Sequence, residues 1–460
     1  MSKERDMTVG RPLPILLSFI LPLLLGLLFQ QFYSMVDTVV VGKSLGVEAL
    51  AGVGSTGSIS FLIIGLCTGI CSGFAIPVAQ KFGERDEDGL RRFVGNMVWL
   101  GSLIALVMTL LTTLGCRWIL TAMNTPEDTF SYAYDYIFLI FLGIPATMLY
   151  NTLSGILRSL GDSRTPLLFL IFSSLLNVAL DLLFVVTFKM GVAGAGWATL
   201  ISQLVSGLLC LVYMAKKFPI LRLSRDDLKA RKLYAVRLLF MGLPMGLQYS
   251  ITAIGTILLQ TAVNGLGAAA MAAMTASSKV TGLFAVPFDA IGSTATTYAG
   301  QNLGAGKLDR VNAGVKACAL LGSIYSVVAL IVLYFGAAPL SGLFLNSDEA
   351  AAAGQILPMA RQLLVINAAF YIPLLFVNLL RFTIQGLGYS NLAVIAGVSE
   401  MVARGIVALG LVPVLGFTAV CYASPAAWVM ADCFLFPAYF YCVKKRKAQY
   451  APRAARAGTI

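Results

Sequence analysis

The chain has 460 residues, 58% of them hydrophobic and only 12% charged, with a net charge of +12 and no histidine; its mean hydropathy is +0.85. A soluble domain carries about 25% charged residues, and a bilayer span needs roughly 20 mostly apolar ones, so composition excludes a soluble enzyme and indicates a polytopic membrane protein. Without histidine there are no imidazole triads, imidazole zinc sites or histidine proton relays, which leaves carboxylates for any proton chemistry inside the membrane.

In chain order, apolar runs between polar breaks predict twelve helices, over 14–41, 49–78, 93–115, 131–154, 165–188, 192–215, 235–263, 270–299, 313–335, 358–381, 392–413 and 417–443. The first run is longer than a signal-peptide core and no small-residue cleavage site follows it, so it is expected to be retained. No ten-residue stretch alternates polar and apolar residues as a membrane β-barrel requires. The expected fold is therefore all-α. The eight cysteines lie mostly within apolar runs, where they are expected to pack as small apolar groups without disulfides.

Basic residues cluster on one side of the predicted spans. Arg5, Arg11, Lys81, Arg85, Arg91, Arg92, Arg158, Arg164, Lys307, Arg310, Lys316, Arg381 and the run Lys444 to Lys447 face Lys43, Arg117, Lys189 and Arg361 on the other side. The positive-inside rule then places both termini in the cytoplasm. The only long charged connection follows the sixth span and reads as a hinge. The expected organisation is a cytoplasmic N-terminus (1–13), an N-lobe (14–215), an inter-lobe loop (216–234), a C-lobe (235–443) and a basic cytoplasmic tail (444–460).

The two halves are related. Leu45-Gly46 precedes Leu266-Gly267 by 221 positions, Gln80-Lys81-Phe82-Gly83 precedes Gln301-Asn302-Leu303-Gly304 by the same 221, and Pro22 precedes Pro244 by 222. Arg158-Ser159-Leu160-Gly161-Asp162-Ser163 aligns with Gln385-Gly386-Leu387-Gly388-Tyr389-Ser390 at 227. Six spans per half give parallel repeats, an architecture of transporters. Gly42-Lys43-Ser44 and Gly304-Ala305-Gly306-Lys307 lack the upstream glycine of a phosphate-binding loop, so an ion gradient is the expected driving force.

Ionisable groups within spans cost about 2.5–3.5 kcal/mol each on insertion scales. Asp37 shares a helix face with Gln30, Tyr33 and Ser34, and Asp181 lies four residues after Asn177. Tyr136 and Thr199 fall in the same layer. These aspartates either make structural hydrogen bonds between helices or take up a coupling cation, a proton or a sodium ion. In the second half, Glu400 and Arg404 are spaced to form an ion pair within one helix. Lys279, Asp289 and Asp432 are further intramembrane candidates.

The run Gln30-Gln31-Phe32-Tyr33-Ser34-Met35-Val36-Asp37 with Leu45-Gly46-Val47-Glu48-Ala49-Leu50-Ala51, the paired Gln80-x-x-Gly83 and Gln301-x-x-Gly304, Gly161-Asp162-Ser163 and Asn177-x-x-x-Asp181 together resemble the MATE multidrug and toxic compound extrusion transporters, in their DinF-like branch. The resemblance covers roughly 14–443. It implies two six-helix lobes around a central cleft and export of cationic, amphipathic drugs or metabolites in exchange for protons or sodium. It also implies a monomer in the bacterial cytoplasmic (inner) membrane, with no nucleic-acid partner and no cofactor beyond the coupling ion. Asp37, Asp181, Asn177, Tyr33, Tyr136 and Thr199 match its coupling network, with sodium possible at Asp37 and Asp181, while Gln30, Ser34 and Asn151 are the substrate-facing candidates. The predicted seventh span has no acidic residue, unlike the NorM-like branch, which argues against a C-lobe sodium site on that helix. Glu400, Arg404, Lys279 and Asp289 remain secondary C-lobe candidates. The alternative is a lipid-linked oligosaccharide or lipid flippase of the same superfamily.

Overall fold

The computed structural model describes residues 6–345 and 353–457; the side chains of Ser34, Asp37, Thr38, Val39, Val47 and 451–457 lie outside the described set. No β-strand occurs among the described residues. The first half contains α1 (Pro12–Leu45), α2 (Val47–Ser55), α3 (Gly57–Glu84), α4 (Glu87–Ala122), α5 (Glu127–Leu142), α6 (Ile144–Ser159), α7 (Arg164–Asp181) and α8 (Val192–Lys217). The second contains α9 (Lys232–Asn264), α10 (Ala268–Gly304), α11 (Leu308–Gly342), α12 (Ala353–Ala369), α13 (Tyr371–Gly386), α14 (Ser390–Ile406), the single turn α15 (Val412–Leu415) and α16 (Phe417–Ala457). Among the described residues, ten helices are long and apolar enough to cross a membrane, and counting each of two bent pairs as one span gives up to twelve.

Those pairs, α5 with α6 and α12 with α13, were each expected as one span, with Pro145 and Pro373 inside them able to permit bending. They bend by 44° and 53°, at Gly143 and Phe370, which stand 227 positions apart. The repeat is thus written in backbone geometry. Gly46 and Gly267 take φ 90° and 96°, and Gly161 and Gly388 take 86° and 87°, a region that costs any residue with a Cβ. Both halves also carry a π-helical stretch at the matching place, Leu182–Thr187 and Val407–Leu411.

The lipid-facing surface repeats as well. Leu103, Val107, Leu110, Leu111 and Leu114 form an exposed stripe on α4, and Ile324, Val328, Ile331, Val332 and Phe335 form its counterpart on α11. Each pair is 221 positions apart. In lipid, apolar side chains belong outside, and small or polar ones between helices.

The chain divides into two compact units, one formed by residues 18–250 with the segment ending at Val9, the other by 10–17 and the remainder from Ile251. In the first unit, α3 packs on α6 and α7 on α8. The early part of α9 also lies on α3 with backbones nearly touching. A Cβ on Gly69 would meet the Met245 carbonyl at 2.6 Å, and one on Gly73 would meet Gly242 Cα at 2.6 Å. Gly69-x-x-x-Gly73 and Gly242-x-x-x-Gly246 therefore interlock as small-residue faces. In the second unit, α10 packs on α13 and α14 on α16.

The connection read as a hinge is strapped to α4. Asn96 Oδ1 accepts from the Arg231 N–H at 2.9 Å, and Trp99 Nε1 donates to the Leu228 carbonyl at 2.5 Å. Asp227 accepts from the Ser224 hydroxyl at 2.7 Å and N–H at 2.8 Å. Burial works to raise the Asp227 carboxyl, but those hydrogen bonds and the guanidiniums of Arg91 and Arg92 outweigh it and hold the group below its ordinary value. Two further differences from expectation concern basic residues. Arg381, expected as the last residue of its span, sits inside α13, which runs on to Gly386, and is buried. The helix of the last span runs on through the basic tail to Ala457, since lysine and arginine favour helix and no proline or glycine intervenes before Pro452.

Candidate functional site

Facing segments of α7 and α8 build a polar cavity in the first unit. On α7, Ser173, Ser174 and Asn177 fall on one face at helical spacing; on α8, Thr199, Ser202 and Gln203 do the same, and Tyr33 of α1 completes the wall. The cavity measures about 10 Å³, close to the roughly 10–15 Å³ that one water molecule needs, so it suits a single water or ion.

The direction of the hydroxyl protons decides what the cavity accepts. Ser173 donates to the Ser202 carbonyl at 2.7 Å, Ser174 to the Leu170 carbonyl at 2.8 Å, and Ser202 to the Ala198 carbonyl at 2.7 Å. A hydroxyl has one proton and two lone pairs. With its proton given to backbone, each serine turns acceptor lone pairs to the cavity. Neither atom of the buried Asn177 amide, nor Gln203 Oε1, has a hydrogen-bond partner among the described residues. The wall is rich in oxygen acceptors, the chemistry of a cation site.

Asp181 lies one turn beyond Asn177 on α7 and is fully buried, at 0% exposure. It is the last α-helical residue before the π-helical stretch; π-turns inside helices recur at functional sites. Tyr136 packs on a cluster that includes Val41, Ala49 and Val185, and is not part of the cavity wall. The structure thus brings Tyr33, Asn177 and Thr199 together at the cavity with Asp181 one turn away. The side chains of Asp37 and Ser34 lie outside the described residues. Gln30 is exposed on α1, and Asn151 is half-buried with its amide donating to the Thr147 carbonyl at 2.8 Å; neither lines the cavity. Sequence reasoning missed Ser173, Ser174, Ser202 and Gln203. The available signal was their spacing of three and four residues around Asn177 and Thr199.

The second unit holds a different cluster. Glu400 of α14 is gripped by Arg381 of α13 through Oε1 and by Arg404, one turn on, whose Nη2 lies 3.4 Å from Oε2. All three are buried. The expected Glu400–Arg404 pair is present, with Arg381 as an additional member. Arg381 acts electrostatically on Asp289 of α10 and Asp432 of α16. Asp432 is buried and its Oδ1 has no hydrogen-bond partner among the described residues. Asp289 and Lys279 are exposed. No group of three or more acidic or cysteine residues placed to hold a metal occurs among the described residues.

Up to twelve spans in two repeats, an apolar exterior and polar groups sequestered among the helices define the chain as a multi-pass membrane transporter. The MatE family profile matches residues 22–183 and 244–409, one copy per half, and the chain belongs to that family of transporters. Among curated relatives, it is 30% identical over 361 residues to the probable multidrug resistance protein YoeA of Bacillus subtilis, covering 77% of each chain. It is 23% identical to the FAD transporter of Shewanella oneidensis, over 75% of this chain and 78% of that one. Among solved structures, an outward-facing multidrug resistance MATE transporter of the MOP superfamily aligns with TM-score 0.89 at 21% identity, covering 97% of this chain and 99% of the other. That likeness establishes the shared two-lobe fold.

Proposed function

We propose that this transporter is a secondary antiporter of the bacterial cytoplasmic membrane, acting as a monomer with both termini in the cytoplasm. It exports cationic, amphipathic compounds by alternating access of its two lobes, in exchange for protons or sodium. The observation that carries this reading is the acceptor-lined cavity beside the buried Asp181. A carboxylate in a low-dielectric site binds one positive charge cheaply and two only at high cost. Entry of the coupling ion at Asp181, Asn177 and Asp37 therefore weakens the hold on a cationic substrate, and loss of that ion on the opposite side restores it. Either coupling ion fits the wall, because a proton needs only the carboxylate and sodium is served by the neutral oxygens of Asn177, Thr199 and the serines.

Relatives named for multidrug resistance support drug-like substrates. The flippase alternative is less favoured, since the two buried arginines of the second unit are held by Glu400 rather than forming a basic cavity. The test is ethidium efflux from reconstituted vesicles with proton and sodium gradients imposed separately. Transport under one gradient, abolished by Asp181→Asn in a folded protein, is the expected result. Undiminished gradient-driven efflux by that variant would remove Asp181 from the mechanism.

A further inference from the structure

The repeat allows the cavity of the first unit to be compared position by position with its counterpart in the second. At the 227 spacing fixed by Gly161 and Gly388, Ser173 corresponds to Glu400 and Asn177 to Arg404. Tyr33 lies between Pro22 and Gly46, whose counterparts stand 222 and 221 positions on, and so corresponds to Gly255 or its neighbour Ile254. At the 225 spacing of Gly191 and Gly416, both at positive φ, Ser202 and Gln203 correspond to Ala427 and Trp428. The acceptor wall has lost its serine and glutamine from one helix and gained a carboxylate and a guanidinium on the other.

Gly255 shows where that guanidinium goes. A Cβ on this residue would stand 3.4 Å from Arg404 Nη1 and 3.5 Å from Arg404 Cδ. Arg404 thus lies against the stretch of helix equivalent to the one from which Tyr33 reaches into the first cavity. The glycine leaves the space and the arginine fills it. Nη2 of Arg404 is held by Glu400, while Nη1 has no hydrogen-bond partner among the described residues.

We infer that Arg404 is a tethered cation that permanently occupies the second unit's counterpart of the polar cavity, with Glu400 as its carboxylate ligand. The inference rests on the reading that the first cavity takes an exchangeable cation. It assigns one exchangeable cation site to the protein, in the first unit, and a built-in positive charge to the second. A guanidinium cannot be released at any step of a cycle, so this half presents the same charge throughout while the other half loads and unloads. The groups facing Arg404 are Glu400 and, through Glu400, Arg381.

Removing the tether should turn the second unit into a site for a free cation. The test is the melting midpoint of purified protein in millimolar guanidinium chloride, sodium chloride or choline chloride at constant ionic strength; a cation that binds only the folded state raises the midpoint until the site saturates. Arg404→Ala is expected to gain a saturable stabilisation by guanidinium that wild type lacks, that choline does not reproduce, and that the Glu400→Gln/Arg404→Ala double variant loses. Arg404→Lys, with its own tethered cation, is expected to show none. A folded Arg404→Ala protein indifferent to guanidinium and sodium overturns the inference.

A second arm needs no change at Arg404. The Asp37→Asn/Asp181→Asn variant is expected to have no saturable sodium response. A response that persists there and disappears on adding Asp432→Asn would reveal an exchangeable site in the second unit and overturn the inference equally. The two readings fail separately, because a wild-type ion response untouched by Asp181→Asn defeats the first cavity's role, whereas the guanidinium arm reads the second unit alone.

Discussion

Glu400 is the residue whose loss should cost most in the second unit. It lies between Arg381 and Arg404, and all three side chains are no more than 10% exposed. Changing Glu400 to Gln preserves shape and leaves two guanidiniums facing a neutral amide. Breaking a buried pair by removing one partner costs about 3–5 kcal/mol, because the remaining charge stays desolvated. At roughly 2–4 °C per kcal/mol for a unit of this size, Glu400→Gln should lower the melting midpoint by about 6–20 °C. Arg404→Leu is expected to cost less, since it leaves the neutral Arg381–Glu400 pair intact and replaces a buried cation with apolar volume. Replacing all three by Leu or Met should recover much of the loss, as apolar replacements of buried ionic triads do. The assay is size-exclusion chromatography of detergent-solubilised protein after a heating series. A Glu400→Gln midpoint within about 2 °C of wild type, under one kcal/mol on the same scale, or an Arg404→Leu midpoint below that of Glu400→Gln, would refute the electrostatic argument.

Three other outcomes follow from the first unit. Asn177→Ala should raise the coupling-ion concentration needed for half-maximal efflux without preventing membrane insertion, which an ion titration of vesicle transport measures. Gly69→Leu should overpack the α3–α9 contact, where the Met245 carbonyl stands 2.6 Å from a Cβ; overpacking typically costs about 1–3 kcal/mol, and more against backbone, so yield after solubilisation should fall sharply while Gly101→Leu, at a site with open space, leaves it unchanged. Asp227 has a lowered folded-state value, so its stabilisation of the 224–231 strap is complete above the ordinary carboxylate range and is lost as pH falls through the lowered value. Proteolytic cleavage in 222–231 should therefore accelerate on acidification, and Asp227→Asn should be cleaved readily at neutral pH.

The span count and the repeat were legible because lipid imposes a length on every apolar run, and glycines at positive φ keep their places when side chains drift. The bends at Gly143 and Phe370 were legible only as permitted kinks, through Pro145 and Pro373 close by, since hydropathy averages over the break and reports one span. Arg381 was placed at the cytoplasmic end of its span because charge near a span end normally means the interface; its pairing with Glu400 depends on α13 and α14 lying side by side, which spacing along one helix cannot reveal. Ser173, Ser174 and Ser202 were hidden for another reason. Serine inside an apolar helix usually satisfies itself on its own backbone, as Ser174 and Ser202 do here, while Ser173 donates across to the Ser202 carbonyl of α8. Only the neighbouring helix shows that their spare lone pairs meet in one cavity. Asp181 and Asn177 were visible because a carboxylate has no proton to give its own helix, and an amide oxygen is left over even where its NH2 bonds the turn before, as in Asn151.

The divergence between the halves concerns chemistry and leaves the scaffold nearly untouched. Bends, positive-φ glycines, π-helical stretches and the lipid-facing stripe all recur, so the duplicated fold supplies two equivalent positions for a cation between paired helices. At one of them the wall offers neutral acceptors and one nearby acid, which on the proposed reading take a small cation and release it. At the other a guanidinium is tied covalently to the chain and ionically to Glu400. Were both positions exchangeable, each cycle would have to desolvate and resolvate two ions, and the two loadings would have to be coordinated. With one position occupied by a side chain, the conformational cycle can answer to the charge state of a single cavity.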